Sequence, residues 1–340
     1  MPKGGGRLKI IQIPEPVQHC CDVLRNAGYA AHPVGGGVRD LLLGRVPGDW
    51  DVTTSARPEQ VQGLFSHTVP TGIKHGTITV IEGGIPIEVT TFRLESGYGD
   101  SRHPDSVSFD TDLTGDLARR DFTVNALALD EQLNVIDPFG GQADLERKMI
   151  RAVGEPERRF SEDALRILRG VRFAAQLGFT IEPDTAAAMK VCAPLVDKVS
   201  AERIKTEVEK TLLSPNPQRV GELVSLGILN RFHEDWHACD WKALRRVPAI
   251  PVERWRAFCA MTGFPIEALP VERVVRMSIL HPERELVKGL TLSGGELQQL
   301  GLSGEAIGSA QKRLAAHVQE CPADNTPQRL RELLEEWDLL

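Results

Sequence analysis

The sequence predicts an α+β protein in which a domain built on a mixed β-sheet is followed by helices. Up to about residue 150, strand-like runs alternate with helical patterns. Two of those runs, 77–82 and 85–91, join at Gly83-Gly84, a dipeptide typical of a hairpin. After about residue 155 the apolar spacing is helical and no strand pattern follows. A chain of 340 residues is long enough for two or three domains.

The first elements follow from local signals. A helical pattern over 17–28 ends at Asn26-Ala27-Gly28, and the strand-like run Tyr29–Val34 leads into three glycines. A short helix over Val38–Leu43 ends before Gly44, and the strand of Asp49–Thr53 follows a turn. Arg57-Pro58-Glu59 then begins a helix that continues through Phe65.

The second half is predicted to be helical throughout. Ser161 is a suitable N-cap for a helix whose first turn holds Glu162 and Asp163. Further helices are predicted at 183–192, 200–213, 217–227, 251–261, 270–279, 294–299, 303–318 and 327–338.

Composition narrows the class of protein. The formal net charge of −7 argues against indiscriminate polyanion binding, although a local basic groove is compatible with it. Six cysteines show no metal-binding spacing, which favours reduced thiols and a cytoplasmic location. There is no apolar run of about 18 residues and no secretory signal, so no membrane association is expected. No protein partner can be inferred.

The stretch Val34–Thr54 carries the first chemical pattern. On a strand, residues two apart face the same side, so Asp49 and Asp51 present two carboxylates together. Oxygen ligands of this kind suit Mg²⁺, which also binds substrate phosphates. Glycines before a helix start allow a phosphate to approach the backbone closely. Taken alone, a glycine triplet is usually a turn and a lone DxD is usually a solvated strand end.

Three further groups of residues complete the candidate site. Alternation in the run 85–91 puts Glu88 on the polar face that Asp49 and Asp51 would share. The segment 119–125, RRDFTVN, offers arginines for a triphosphate and Asp and Asn for ribose hydroxyls, or is simply a charged helix start. In EDALRILRGVRF, Asp163 and Arg166 are neighbours on a helix, either as a surface ion pair or as readers of a base edge.

Together, these blocks resemble the motifs of the class II tRNA nucleotidyltransferase and bacterial poly(A) polymerase superfamily. The matching patterns are GGxVRDxLLG followed by DxD, RRDFTxNA, and EDxLRxxRxxRF, in that order between about residues 29 and 175. The resemblance implies a polymerase-β-like nucleotidyltransferase head over 1–150, a helical neck with the nucleotide-reading motif over 151–215, and a helical body and tail that bind tRNA over 216–340.

The same resemblance implies roles for individual residues. Asp49 and Asp51 would bind Mg²⁺, and Glu88 is added to them as a catalytic carboxylate from strand alternation. Nucleotide contacts would come from a set of polar and glycine residues: Gly36, Arg39, Arg120, Asp121, Asn125, Asp163, Arg166, Arg169 and Arg172. The reaction implied is addition of CCA to the 3′ end of tRNA from CTP and ATP, with the acceptor arm of tRNA held by the helical remainder.

The exact product is less constrained. The stretch 74–81, KHGTITVI, is more similar to the CCA-adding branch than to the poly(A) branch. The 25 residues between Arg93 and Arg119, with a polar segment at 94–107 expected to be a mobile loop, leave room for the loop that CC-adding members lack. An A-adding enzyme, a CC-adding enzyme and a poly(A) polymerase remain alternatives.

Two hypotheses belong to other functional classes. One is an RNA-binding scaffold without catalysis, against which the intact DxD argues. The other is a zinc hydrolase, because 233–237, HEDWH, matches the HExxH pattern. That pattern fixes only three positions, and no third ligand is evident.

Overall fold

A seven-stranded mixed sheet organises the N-terminal part of the chain. The computed structural model describes residues 12–73, 76–96, 106–108, 112–236 and 238–340. In these residues the strands are β1 (Ala31–Val34), β2 (Trp50–Thr54), β3 (Thr68–Gly72), β4 (Thr77–Glu82), β5 (Ile85–Thr91), β6 (Leu94–Ser96), β7 (Ser106–Ser108), β8 (Ala128–Leu129), β9 (Val135–Ile136), β10 (Met149–Ile150) and β11 (Thr180–Ile181). The sheet has the order β3-β4-β5-β2-β1-β8-β9, and β2 pairs with β5 in parallel. The prediction of a mixed sheet is therefore confirmed.

The described helices account for most of the remaining chain. They are α1 (Glu15–Asn26), α2 (Gly36–Leu42), α3 (Pro58–Leu64), α4 (Leu113–Ala118), α5 (Gly141–Glu146), α6 (Pro156–Glu162), α7 (Leu165–Leu177), α8 (Pro183–Cys192), α9 (Ala201–Leu212), α10 (Val220–Ser225), α11 (Pro251–Thr262), α12 (Arg273–Leu280), α13 (Pro282–Lys288), α14 (Gly294–Gln299), α15 (Glu305–Glu320) and α16 (Pro327–Glu336). None of the helices in the described ranges is long and apolar enough to cross a membrane.

Alternation along the central strands separates an apolar face from a polar one. Val52 of β2 and Ile87 and Val89 of β5 are buried in a core that also contains Leu24 of α1 and Val61 of α3. Because strand side chains alternate in direction, the residues between these positions face the other side of the sheet. The polar face therefore carries the odd-numbered residues of β2 and the even-numbered residues of β5.

The chain divides into two compact units. One contains Met1–Glu234 with Asp240–Arg245, and the other contains Asp235–Cys239 with Arg246–Leu340. In the second unit, Leu297 of α14, Leu314 of α15 and Leu330 of α16 share an apolar cluster. This unit is helical wherever it has regular structure in the described residues, as the sequence predicts.

The region around Ser161 differs from the prediction. Helix α6 already begins at Pro156, because the Glu155 side chain caps it by accepting hydrogen bonds from the backbone N–H groups of residues 157 and 158. Ser161 lies near the end of that helix and donates its hydroxyl to the carbonyl of Glu157. Asp163 is not helical but extended, with φ −146° and ψ 103°, and α7 begins two residues later. The chain therefore breaks between two helices where one helix was expected.

A second difference is β-structure beyond residue 155. Strand β11 pairs in parallel with β10, joining Met149 to Thr180 and Ile150 to Ile181. Each strand has only two residues, which is too short to give a periodic pattern.

The HExxH pattern does not lie on a helix in the described residues. Residues 233–236 have no regular secondary structure, and His237 lies outside the described residues. The zinc hydrolase hypothesis needs both histidines one helical turn apart, so it loses its structural basis. Lys74, His75 and the greater part of the predicted loop 94–107 also lie outside the described residues.

Candidate active site

A cleft of about 1040 Å³ opens on the polar face of the sheet. All twelve predicted site residues line it: Gly36, Arg39, Asp49, Asp51, Glu88, Arg120, Asp121, Asn125, Asp163, Arg166, Arg169 and Arg172. The sheet and α2 supply one wall, and α7 with α9 supplies the other. Residues distant in sequence therefore meet in one place.

Three carboxylates form the sheet side of the cleft. The parallel pairing of β2 with β5 puts Asp51 directly beside Glu88, and Asp49 precedes the same strand. Burial raises the pKa of Asp51 from its ordinary value of 3.8 to about 6; Arg120 opposes this shift, whereas Glu88 and Asp49 add to it. Mutual repulsion of this kind is relieved by a divalent cation, and an all-oxygen donor set suits Mg²⁺ or Mn²⁺. The residues present therefore fit a divalent metal ion.

The glycine turn before α2 brings an arginine next to these carboxylates. Gly35 has φ +78°, a conformation that favours glycine. A Cβ atom at this position would lie 3.0 Å from Nη1 of Arg120 and 3.2 Å from Oδ2 of Asp51. Arg120 also keeps one buried nitrogen, Nε, without a hydrogen-bond partner in the described residues. Positive and negative groups thus meet against a backbone position that has no space for a side chain.

A chain of hydrogen bonds connects α2 to α7 across the cleft. Arg39 donates through Nη1 to Oδ1 of Asn125 at 2.7 Å, and Asn125 donates to Asp121 at 3.1 Å. The other Asp121 oxygen accepts from Nε of Arg169 at 2.7 Å. Burial alone would raise the pKa of Asp121, but Arg169 and these hydrogen bonds lower it to about 2. Asp121 is therefore ionised whenever the protein is folded at neutral pH.

The ring of Phe173 on α7 contacts three arginines, two from α7 and one from α2 on the opposite wall. The guanidinium carbons of Arg39, Arg169 and Arg172 lie 5.3, 5.2 and 3.9 Å from its centroid. Arg172 also pairs with Glu207 of α9 and donates to Gln176 at 2.9 Å. Aromatic faces attract guanidinium groups, so the ring fixes the charges in place. The sequence analysis did not identify Phe173.

Asp163 and Arg166 are not a pair on one helix face, in contrast to the prediction. Asp163 lies between α6 and α7, where it accepts from the N–H of Leu165 at 3.0 Å and from Nη2 of Arg203 at 2.7 Å. Arg166 binds Glu162 at 2.8 Å instead, because the extended backbone at Asp163 turns its carboxylate towards α9. Both side chains still line the cleft.

Two residues that the sequence analysis missed support this site. Arg203 anchors Asp163, and its Nη1 is buried without a hydrogen-bond partner within the described ranges. Asp116 of α4 is fully buried; it accepts from Arg119 at 2.7 and 2.9 Å, from Arg120 at 3.3 Å and from Thr53 of β2 at 2.9 Å. The spacing of three and four residues to the two arginines was a signal that could have indicated Asp116.

Comparison with known proteins agrees with this geometry. The model of the "Poly A polymerase head domain" matches residues 31–151, and the model of a "Probable RNA and SrmB- binding site of polymerase A" matches 178–239. The CCA-adding enzyme of Streptococcus pyogenes serotype M2 is 51% identical over 212 residues, which are 62% of this chain and 53% of the relative.

Two further relatives extend along most of the chain. A crystal structure of the Bacillus stearothermophilus CCA-adding enzyme in complex with CTP superposes with a TM-score of 0.70 at 33% identity, covering 95% of this chain and 83% of that one. The CCA-adding enzyme of Limosilactobacillus reuteri is 38% identical over 348 residues, covering 94% of this chain and 86% of the relative. With this identity over nearly its whole length and the head-domain match on the cleft, the chain belongs to the CCA-adding enzymes, a family of nucleotidyltransferases.

Proposed function

We propose that this cleft adds CCA to the 3′ end of tRNA from CTP and ATP, with Mg²⁺ held by Asp49 and Asp51. Members of this family generally use divalent metal ions. The observation that carries the proposal is the meeting of three carboxylates with an arginine wall in one cleft. Glu88, next to Asp51 in the sheet, is proposed as the third carboxylate of the catalytic group.

The arginine wall is proposed to bind the triphosphate. Arg120 and Arg203 each keep a buried nitrogen without a partner in the described part of the chain. A buried donor of this kind costs about 1–3 kcal/mol until it is satisfied, so an anionic ligand in the cleft relieves that cost. Arg39, Arg169 and Arg172, held on the Phe173 ring, present charges that need little reorganisation when a substrate enters.

The bond changes follow from this arrangement. The 3′-hydroxyl oxygen of tRNA attacks the α-phosphorus and gives up its proton to solvent. The bond between that phosphorus and the bridging oxygen of the β-phosphate breaks, and pyrophosphate leaves with the electron pair. Bound divalent cations would lower the pKa of the attacking hydroxyl and neutralise the charge on the leaving pyrophosphate. The protein itself contributes positioning and fixed charge, because little covalent chemistry falls to its side chains.

Selection of the base is assigned to the end of the cleft near α7. Asp163 is proposed to accept from the exocyclic amine that cytosine and adenine share, and Arg166 to donate to a ring acceptor. Gly36 would lie against the phosphates, and Asp121 with Asn125 would bind the sugar. Arg203 donates to Oδ2 of Asp163, whereas the N–H of Leu165 donates to Oδ1, so the carboxylate is held at both oxygens.

Three consecutive segments of the chain are proposed to have different roles. The head of residues 1–150 would hold the chemistry, the neck of 151–215 the nucleotide-reading motif, and 216–340 the acceptor arm of tRNA. The match of 178–239 to an RNA-binding model includes the end of the neck and the start of the body, which supports RNA contact by both segments. None of the six cysteines forms a disulfide, which supports the proposed cytoplasmic location.

One experiment tests the reaction and its product together. Three tRNA transcripts that end before CCA, after C and after CC are incubated with Mg²⁺ and CTP, ATP or both, and extension is read at single-nucleotide resolution. We expect every transcript to be completed to CCA. Extension of the CC-ended transcript alone would identify an A-adding enzyme, arrest after CC would identify a CC-adding enzyme, and long A tails or no extension would overturn the proposal.

The assignment of the carboxylates needs a matched pair of variants. Asp51→Asn is expected to abolish extension, whereas Glu59→Gln, on an exposed position of α3 outside the cleft, retains it. Equal activity of the two variants would contradict the metal assignment while leaving the family unaffected.

A further inference from the structure

Three side chains with different donor atoms converge at the C-terminal end of α15. His317 offers an imidazole nitrogen, Cys321 a thiol and Asp324 a carboxylate, and their ligand atoms all lie within 4.8 Å of one another. Nε2 of His317 is 2.7 Å from Oδ2 of Asp324. This cluster belongs to the second compact unit and contains no residue of the catalytic cleft.

The backbone holds the three residues in a fixed relation. The N–H of Cys321 donates to the carbonyl of His317 at 2.8 Å, and the N–H of Asp324 donates to the carbonyl of Cys321 at 3.0 Å. A 3₁₀ turn at Pro322–Asp324 follows directly on the helix end. The ring of Trp337, the residue after α16, packs edge-on against the His317 ring, with the ring centroids 5.9 Å apart. The cluster is thus set by a helix end, a tight turn and one packed ring.

The local charge favours a cation. The C-terminal end of a helix carries partial negative charge, to which the Asp324 carboxylate adds. Arg329 approaches Asp324 only to 3.8 Å, and it binds Glu336 at 2.7 Å and Glu332 at 3.2 Å. Asp324 therefore keeps lone pairs for a further partner, since a carboxylate accepts about four hydrogen bonds or metal bonds.

We propose that His317, Cys321 and Asp324 form a Zn²⁺ site. Zinc takes thiolate, imidazole and carboxylate ligands in a tetrahedron, and water would complete the fourth position. Ligands about 2.1 Å from zinc lie roughly 3.4 Å apart, so His317 and Asp324 separate by roughly 0.7 Å to admit the ion. The exposed Cys321 thiol turns inwards and releases its proton to solvent when it binds the metal.

Cobalt provides a direct test, because a thiolate bound to Co²⁺ gives a charge-transfer band in the near ultraviolet and carboxylate ligands do not. The full-length protein, stripped of metal, is titrated with Co²⁺ and then with Zn²⁺. We expect the band to saturate at one equivalent per chain and to disappear when zinc displaces cobalt. No cysteine is among the described residues that line the catalytic cleft, so metal bound there does not contribute to this band.

Variants separate the site from adventitious thiol binding. Cys321→Ser is expected to lose the band, and Asp324→Asn to weaken Co²⁺ binding by about tenfold or more. Cys259→Ser, a substitution of a cysteine outside the cluster, keeps the band. Absence of the band in the unsubstituted protein, or its survival in Cys321→Ser, would overturn the proposal and leave His317 and Asp324 as an ion pair only. Circular dichroism and Mg²⁺-dependent tRNA extension confirm that each variant is folded.

Discussion

Neutralising Asp116 tests the architecture of the candidate active-site cleft directly. Its side chain is fully buried and is bound by Arg119, Arg120 and Thr53. Burial alone would raise the pKa of Asp116, but the two arginines and the hydrogen bonds from Arg119 and Thr53 lower it. A lowered pKa means that the stabilisation is complete at neutral pH and is lost only as the pH falls through the folded-state value.

The variant Asp116→Asn keeps the shape of the side chain and removes its negative charge. Removing one partner of a buried ion pair costs about 3–5 kcal/mol, and about 3 kcal/mol is expected here because both guanidinium groups retain some access to water. Arg120 also loses the contact that holds it next to Asp51 across the glycine turn. A displacement of about 1 Å at a reacting centre lowers the rate by about 10²-fold, so we expect a fall in kcat of that order.

Urea unfolding measures the loss of unfolding free energy. The rate of A addition from ATP to a CC-ended tRNA at saturating substrate measures the fall in kcat. The control is Asp112→Ala at the N-cap of the same helix, where the carboxylate accepts from the N–H of Gly115 at 2.8 Å. Losing this cap costs about 1 kcal/mol and leaves kcat unchanged. Wild-type kcat and wild-type unfolding free energy in Asp116→Asn would refute the reasoning.

Three further predictions concern the same cleft. Because the pKa of Asp51 is raised to about 6, its proton competes with the metal below that pH. The Mg²⁺ concentration for half-maximal tRNA extension should then rise about tenfold per pH unit below 6, and an Mg²⁺ requirement independent of pH would contradict this competition. In the metal-free protein, Asp51 should instead add to folding stability as the pH falls from about 6 towards 4. Gly35→Ala should lower kcat by displacing Arg120 and Asp51. The control Gly28→Ala has a similar φ of +89° and open space around its Cβ, so it should cost only about 1–2 kcal/mol of stability. Equal kcat values in the two variants would show that the contacts of the Cβ atom at residue 35 do not matter for the reaction. Arg203→Met should raise the KM for CTP and ATP about tenfold by releasing Asp163, with partial recovery in Arg203→Lys; an unchanged KM would remove Arg203 from the site.

The sheet side of the site could be predicted from the sequence because its pattern is local. Alternation along Ile85–Thr91 was enough to place Glu88 on the polar face, and the structure puts it opposite Asp51 in the register of β2 with β5. The hairpin at Gly83-Gly84 likewise follows from its turn residues. The described helices from residue 183 onward follow from apolar spacing, except α13 (Pro282–Lys288), which was not predicted. Short-range rules suffice where each residue's environment is set by its neighbours in the chain.

The helical wall could not be predicted in the same way. Whether Asp163 continues a helix depends on the cap at Glu155 and on Arg203, which lies 40 positions further along the chain. No periodicity links residues so far apart, so a single-helix prediction placed Asp163 and Arg166 on one face. Phe173 was missed for a related reason, since an apolar residue in a helix predicts a core position and gives no sign of the three arginines around it.

The arginines held by Phe173 also bear on which RNA the protein can engage. The chain as a whole is anionic, with a net charge of −7, so its overall charge does not attract RNA. At physiological salt a charge is felt over about 8 Å, which confines the attraction of these arginines to the interior of the cleft. These arginines therefore attract an RNA only where a chain terminus enters the cleft, and the interior of a folded RNA cannot enter it. The placement of the charge thus favours free chain ends over the interior of a folded RNA, without reading sequence.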